Sequence, residues 1–351
     1  MNRREFLKRN GLVLASAVST REILAAPRPR LIQTVRGAME ASRLGRTLMH
    51  EHVLVDFVGA DKVSRDRYDP DEVFRIALPH LERARSLGCK TLVECTPAYI
   101  GRDPLLLRRL SEASGLNIVT NTGYYGAADD KFIPPHAYRE TADQLAARWI
   151  KEYDEGIEGT RGIEEPLIRP GLIKTGLDAG PLSEIDAKLV RAAARTHLKT
   201  GLAVAAHSGD GTAALEALSL WKEEGAPAWA FIWVHAQNES DTGKHLQAAR
   251  EGAWVEFDGI REKSVPRHLE FVKNMKAHAL LDRTLISQDS GWYHVGDPGG
   301  GDYRGYVTLF TRFIPAAREA GLTESNLEML LVANPHNALL ALPPLRLAAP
   351  S

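Results

Sequence analysis

From residue 46 onward the sequence alternates short apolar runs with longer amphipathic segments, and it does so eight times. The runs cover 47–55, 90–96, 117–122, 170–176, 202–207, 231–235, 253–258 and 284–289. The segments between them carry helix signals. Asp69 and Pro70 open one that stops at Gly88, and Asp103 and Pro104 open another that stops at Gly115. A third starts at Ser183, places acids in its first turn and ends at Gly201. These are N-cap, first-turn and C-terminal signatures in the expected order. A strand followed by a helix returns the chain to the same sheet edge, so the repeated alternation predicts parallel strands. Eight units in one chain of 351 residues predict an α/β fold, a single (β/α)₈ TIM barrel over 27–351. An open doubly wound sheet is the alternative. It is disfavoured because no Gly-rich phosphate-binding turn follows the first run. The small residues and prolines near 160–170 mark a loop, not a domain boundary.

The first run, "TLMHEHVLVDF", has the composition of a buried strand yet contains His50 and His52. Side chains alternate along a strand, so the two imidazoles face one way and Glu51 the other. In a barrel that shared face is the interior. Two neutral imidazoles in a dry space leave several nitrogens without partners, a difficulty that a bound metal removes. Other runs end in the same kind of residue: His207, His235 and Asp289 each close an apolar stretch at the end where barrels build their sites. The remaining eight of the 12 histidines fall on predicted helices and loops and are expected on the solvated surface. Lys174 interrupts the fourth run. An ammonium is expensive to bury, so this lysine either reaches solvent or has a lowered pKa. A neutral lysine can react with CO₂ to form a carbamate, an anion with two oxygens that can bridge two metals.

"TLMHEH", Lys174, the single histidines 207 and 235, and Asp289, in that order, resemble the phosphotriesterase family of the amidohydrolase superfamily. "IGRDP", "NTGYY" and "VANPHNAL" extend the resemblance over nearly all of the chain after the N-terminal segment. It implies a hydrolase with two divalent metal ions, expected to be zinc. His50, His52 and Asp289 would hold the first ion and His207 and His235 the second, with carboxylated Lys174 and a hydroxide as bridges. The hydroxide would be the nucleophile and Asp289 its proton acceptor. The implied substrate is a small ester, above all a lactone; an organophosphate triester is the alternative, and a non-catalytic metal-stabilised binding protein is a third possibility. Tyr125 matches a tyrosine that leans toward the metals in family lactonases. Trp292, Tyr293 and His294 are candidates for the pocket wall. The pattern departs after the seventh run, where Asp258 is followed by Gly259 instead of the arginine of many lactonases. Arg261 and Lys263 could supply a cation there, or form a solvated turn. Relatives of this kind are commonly homodimers.

Composition excludes other classes. With 44 basic and 45 acidic residues there is no basic stripe for nucleic acid, and no apolar run is long enough for a membrane span. Cys89 and Cys95 flank one predicted strand, too far apart along an extended chain for a disulfide, and read as packing residues. Residues 1–26 have the layout of an export signal: a charged start with Arg3-Arg4, an apolar Gly11–Val18 segment and a small-residue site at Ala25-Ala26. The start resembles a twin-arginine signal, which implies export of a folded, metal-loaded protein to the periplasm or the cell surface.

Overall fold

The computed structural model of the chain describes residues 30–341 except 164. The export signal expected over 1–26 lies outside those residues. An antiparallel hairpin comes first, β1 (Leu31–Thr34) against β2 (Gly37–Glu40). The first barrel strand is β3 (Thr47–Glu51), continued after a break by β4 (Leu54–Val55), and the second is β5 (Thr91–Glu94). β6 (Asn117–Val119) and β7 (Asn121–Thr122) are halves of the third, interrupted at Thr120. Five more follow: β8 (Leu172–Leu177), β9 (Val204–Ser208), β10 (Phe231–Val234), β11 (Trp254–Phe257) and β12 (Thr284–Ile286). They fall on the eight predicted runs, pair in parallel and lie side by side in sequence order. Helices fill the connections, so the architecture is an α/β barrel.

The predicted caps form. Helix Pro70–Ser86 starts at Asp69, whose side chain accepts the Asp71 N–H. Helices Pro104–Ser114 and Glu184–Thr200 start at Asp103 and Ser183 and end on Gly115 and Gly201, both left-handed. Apolar faces of these helices pack on the outside of the strands. Inside, Met49, Val93, Leu172, Ile232, Trp254 and Leu285 belong to one buried cluster that plugs the base.

Two irregularities shape the mouth. Leu48 pairs with Leu92 and Glu51 with Glu94, so Met49 and His50 together oppose Val93 alone. This bulge inserts one residue into the first strand and re-aims its end. The second lies between the last and first strands, where no regular ladder forms among the described residues. The chain closes the gap by other means: the Asp289 N–H donates to His50 O at 3.0 Å and the His52 N–H to Ser290 O at 2.8 Å. Above them β13 (Tyr293–His294) pairs with β4.

Candidate metal centre

His50, His52, Lys174, His207, His235 and Asp289 all line one cavity of about 280 Å³ at the C-terminal mouth of the barrel. The Nε2 atoms of His50 and His52 lie 3.2 Å apart, as expected for residues sharing a face. Thr96 donates its hydroxyl proton to Glu94 at 2.5 Å, so it accepts from His52 Nδ1 at 2.8 Å and leaves the His52 Nε2 lone pair toward the cavity. That nitrogen is 3.3 Å from Asp289 Oδ1. The rings of His207 and His235 are 4.5 Å apart, and the His50 ring lies 5.0 Å from that of His235.

His235 and Asp289 sit beyond the strands that sequence patterning extended to include them. The strands stop at Val234 and Ile286, and both residues take left-handed backbone, with φ +63° and +49°. Non-glycine residues in that region carry a cost of order 1 kcal/mol and persist where surrounding contacts hold them. At His235 the holding group is Asp258, whose carboxylate accepts the His235 N–H at 3.0 Å and Nδ1 at 2.5 Å. A carboxylate on one ring nitrogen fixes the tautomer and frees the other for a cation.

Burial sets the protonation states. It holds His50 and His207 well below the ordinary imidazole value, with nearby Lys174 adding to the effect at His50 and nearby His235 at His207. It lowers the Lys174 amine as well. Asp258 shows the opposite balance: burial pushes it up, and the contacts with His235 outweigh that and lower it. Glu256, two residues earlier in the chain, is raised well above the carboxylate range by burial and by Asp258.

Four buried polar atoms around the cavity have no hydrogen-bond partner among the described residues: His50 Nδ1, Lys174 Nζ, Glu256 Oε1 and Asp289 Oδ1. Buried polar atoms are rarely left in that state, and several at one place fit a site for cations. Two sets bring ligand atoms within 4.8 Å of one another, His50 with His52 and Asp289, and His50 with His235 and Asp258. The first is the set that the family resemblance implied. The second includes Asp258, which sequence reading passed over although it closes an apolar run just as Asp289 does.

Tyr125 and Trp292 line the cavity, and the Tyr125 hydroxyl is 2.9 Å from His207 Nδ1. Phe57, Ile100, Gln237 and Asn238 also line the wall and carry no sequence signal. Tyr293 is buried in the packing between strands and helices, and His294 touches Phe57 and Trp292 from behind. Arg261 turns away from the cavity to the backbone of Gln288 and Asp289, and Lys263 is exposed. Both cysteines are free and buried, and Cys95 also reaches the cavity. The expectation that the other histidines are solvated fails for three. His197, His245 and His268 are buried on inward helix faces, each bonded to a backbone carbonyl.

A sequence profile of the phosphotriesterase family matches residues 30–339. The "Phosphotriesterase homology protein" of Escherichia coli (strain K12) is 27% identical over 296 residues, 83% of this chain and 96% of that protein. An "Aryldialkylphosphatase" of Saccharolobus solfataricus is 28% identical over 224 residues, 64% of this chain and 68% of that protein. A crystal structure of a mutant of the Deinococcus radiodurans PTE-like lactonase superposes with a TM-score of 0.77 at 27% identity, covering 88% of this chain and 99% of that one.

Proposed function

Since the chain belongs to the phosphotriesterase family, whose members are metal-dependent hydrolases, we propose that it hydrolyses a small activated ester, most readily a lactone, at a centre of two divalent metal ions. The observation that carries this reading is the convergence of four histidines, a buried lysine and an aspartate on one cavity, with unpartnered nitrogen and oxygen atoms facing it. His50, His52 and Asp289 would hold one ion, and His207 and His235 the other, with Asp258 backing His235. Zinc suits the imidazole-rich donor set. Lys174, whose amine burial lowers, would carry a carboxylate from CO₂ and supply the anionic bridge.

A divalent pair supplies Lewis acidity and an acidified water when bound. The residues of the chain do the rest. Asp289 has one carboxylate oxygen without a hydrogen-bond partner among the described residues and beside His52, where it can take the proton of the attacking water. Tyr125 steadies His207 and, with Phe57, Ile100 and Trp292, offers an apolar bed for the leaving portion. A phosphotriester is the second reading, favoured by the similarity to an aryldialkylphosphatase. Arg261 supplies no cation to the cavity, which favours substrates without an anionic tail. The N-terminal segment 1–26 supports export through a twin-arginine-type route.

Hydrolysis of a panel of small lactones, aryl esters and paraoxon, with and without chelator, tests the proposal. Chelator-sensitive turnover of lactones ahead of paraoxon is expected. Turnover that survives complete metal removal would overturn it.

A further inference from the structure

Asp289 stands in a stretch that belongs to no strand. Residues 287–290 follow β12 without regular structure, and Asp289 has φ +49°. Local support is limited to Ser290 Oγ, which donates to Gln288 O at 3.4 Å, and the neighbouring Trp292 Nε1, which donates to Asp289 O. The charged groups that hold the stretch come from elsewhere in the chain and approach from two sides.

On one side is Glu51, the residue between the two histidines, wholly buried and facing away from the cavity. Its Oε1 accepts the Ser287 hydroxyl at 2.8 Å and the Gln288 N–H at 3.0 Å, and its Oε2 accepts the Ser290 N–H at 2.8 Å. The Ser287 hydroxyl in turn accepts the His50 N–H at 2.9 Å. The carboxylate therefore occupies the place of the missing ladder between the last and first strands. On the other side is Arg261. Its guanidinium donates to Gln288 O, to Asp289 O at 2.7 Å and to Ser290 Oγ at 3.1 Å. Trp292 Nε1 and Arg304 add to Asp289 O at 3.0 and 3.2 Å, and Arg304 also lies 5.0 Å over the Trp292 ring.

We propose that Glu51 and Arg261 are positioning residues, an acidic and a basic jaw that together clamp residues 288–290 and thereby fix the direction in which the Asp289 carboxylate meets the metal and the attacking water. Glu51 takes the N–H groups on either side of Asp289, and Arg261 takes the carbonyl oxygens. Neither lines the cavity, so each acts through residues that do. The bond from Ser287 to the His50 N–H makes the same carboxylate a tie between Asp289 and the histidine pair, so the clamp sets their mutual geometry. This role rests on the reading of Asp289 as ligand and proton acceptor.

Glu51→Gln and Arg261→Met test the clamp, with Arg261→Lys as the conservative control. Gln keeps size but turns an amide N–H₂ toward a donor. On metal-free protein, hydrogen exchange at the Gln288 and Ser290 amides should rise in both variants. On metal-loaded protein kcat should fall by about 10- to 100-fold with KM unchanged, and loss of metal to EDTA should accelerate by a similar factor. Arg261→Lys should recover part of each. Should Glu51→Gln fail to fold, Arg261→Met on its half-buried side chain carries the test. Unchanged exchange, or faster exchange with unchanged kcat and metal retention, would overturn the proposal. If metal-loaded wild type hydrolyses nothing on the ester panel, the functional reading fails instead, and metal retention still decides the clamp.

Discussion

The two ends of the barrel interior are built on opposite principles. At the base, Met49, Val93, Leu172, Ile232, Trp254 and Leu285 fill the space with apolar surface, and the single polar atom among their side chains, Trp254 Nε1, donates to Trp229 O at 3.0 Å. At the mouth, on the same strands and a few residues further along, imidazoles, carboxylates and an amine are buried together and several of their atoms have no partner among the described residues. The base follows the rules of packing, with Arg283, 4.6 Å over the Trp254 ring, leaving one guanidinium nitrogen there without a partner among the described residues. The mouth gathers several such atoms in one place, and that place coincides with left-handed backbone at His235 and Asp289. Stability at one end carries the cost of preorganisation at the other.

The largest test of this contrast is Lys174→Ala. At the mouth it should abolish metal binding and activity, while short carboxylic acids added to the variant restore part of both. Because it removes an unpartnered buried amine, the metal-free protein should unfold at no lower temperature than metal-free wild type. Full metal content in the variant, or a sharp fall in metal-free stability, would break the comparison.

A satisfied ion pair on the flank of the mouth should behave in the opposite way. Arg102 and Glu152 meet at 2.7 Å, both largely buried, and Thr122 completes the carboxylate. Glu152→Gln should cost about 3–5 kcal/mol in chemical denaturation, since it leaves a buried guanidinium unmatched. Burial pushes the Glu152 carboxyl up, but Arg102 and Thr122 pull it below its ordinary 4.5. Its stabilisation is therefore present above that pH and disappears as pH falls through the lower folded value. Wild type should lose this increment on acidification and the variant should not; parallel pH–stability curves would contradict the assignment. At the base, Leu285→Ala should cost about 2–5 kcal/mol while leaving kcat per folded molecule unaltered. An equal loss of kcat would show that base and mouth are coupled more tightly than their packing implies.

Much of this was legible in the sequence because both features are local. Strand and helix periods and caps are set within a few residues, and the histidines and aspartate at the ends of apolar runs need only the barrel to bring them together. What escaped is what the chain makes across distance. Glu51 reads as the outward partner of an alternating strand, yet its role is defined by Ser287, Gln288 and Ser290 at the far end of the chain. Arg261 reads as part of a solvated turn or as a cation for a substrate until the carbonyls of Gln288 and Asp289 claim it. Asp258 carried the same signal as Asp289, but it drew attention only through the arginine missing beside it. His197, His245 and His268 were misjudged because a helical histidine is solvated or buried according to which face the barrel covers.

If the unpartnered atoms of the mouth exist for cations, elemental analysis of the protein purified without chelator should find two equivalents of divalent metal per chain, zinc foremost. In His207→Ala both the metal and hydrolysis should be lost. A chain that purifies with no bound metal, takes up none when it is supplied and is nonetheless folded would contradict that reading.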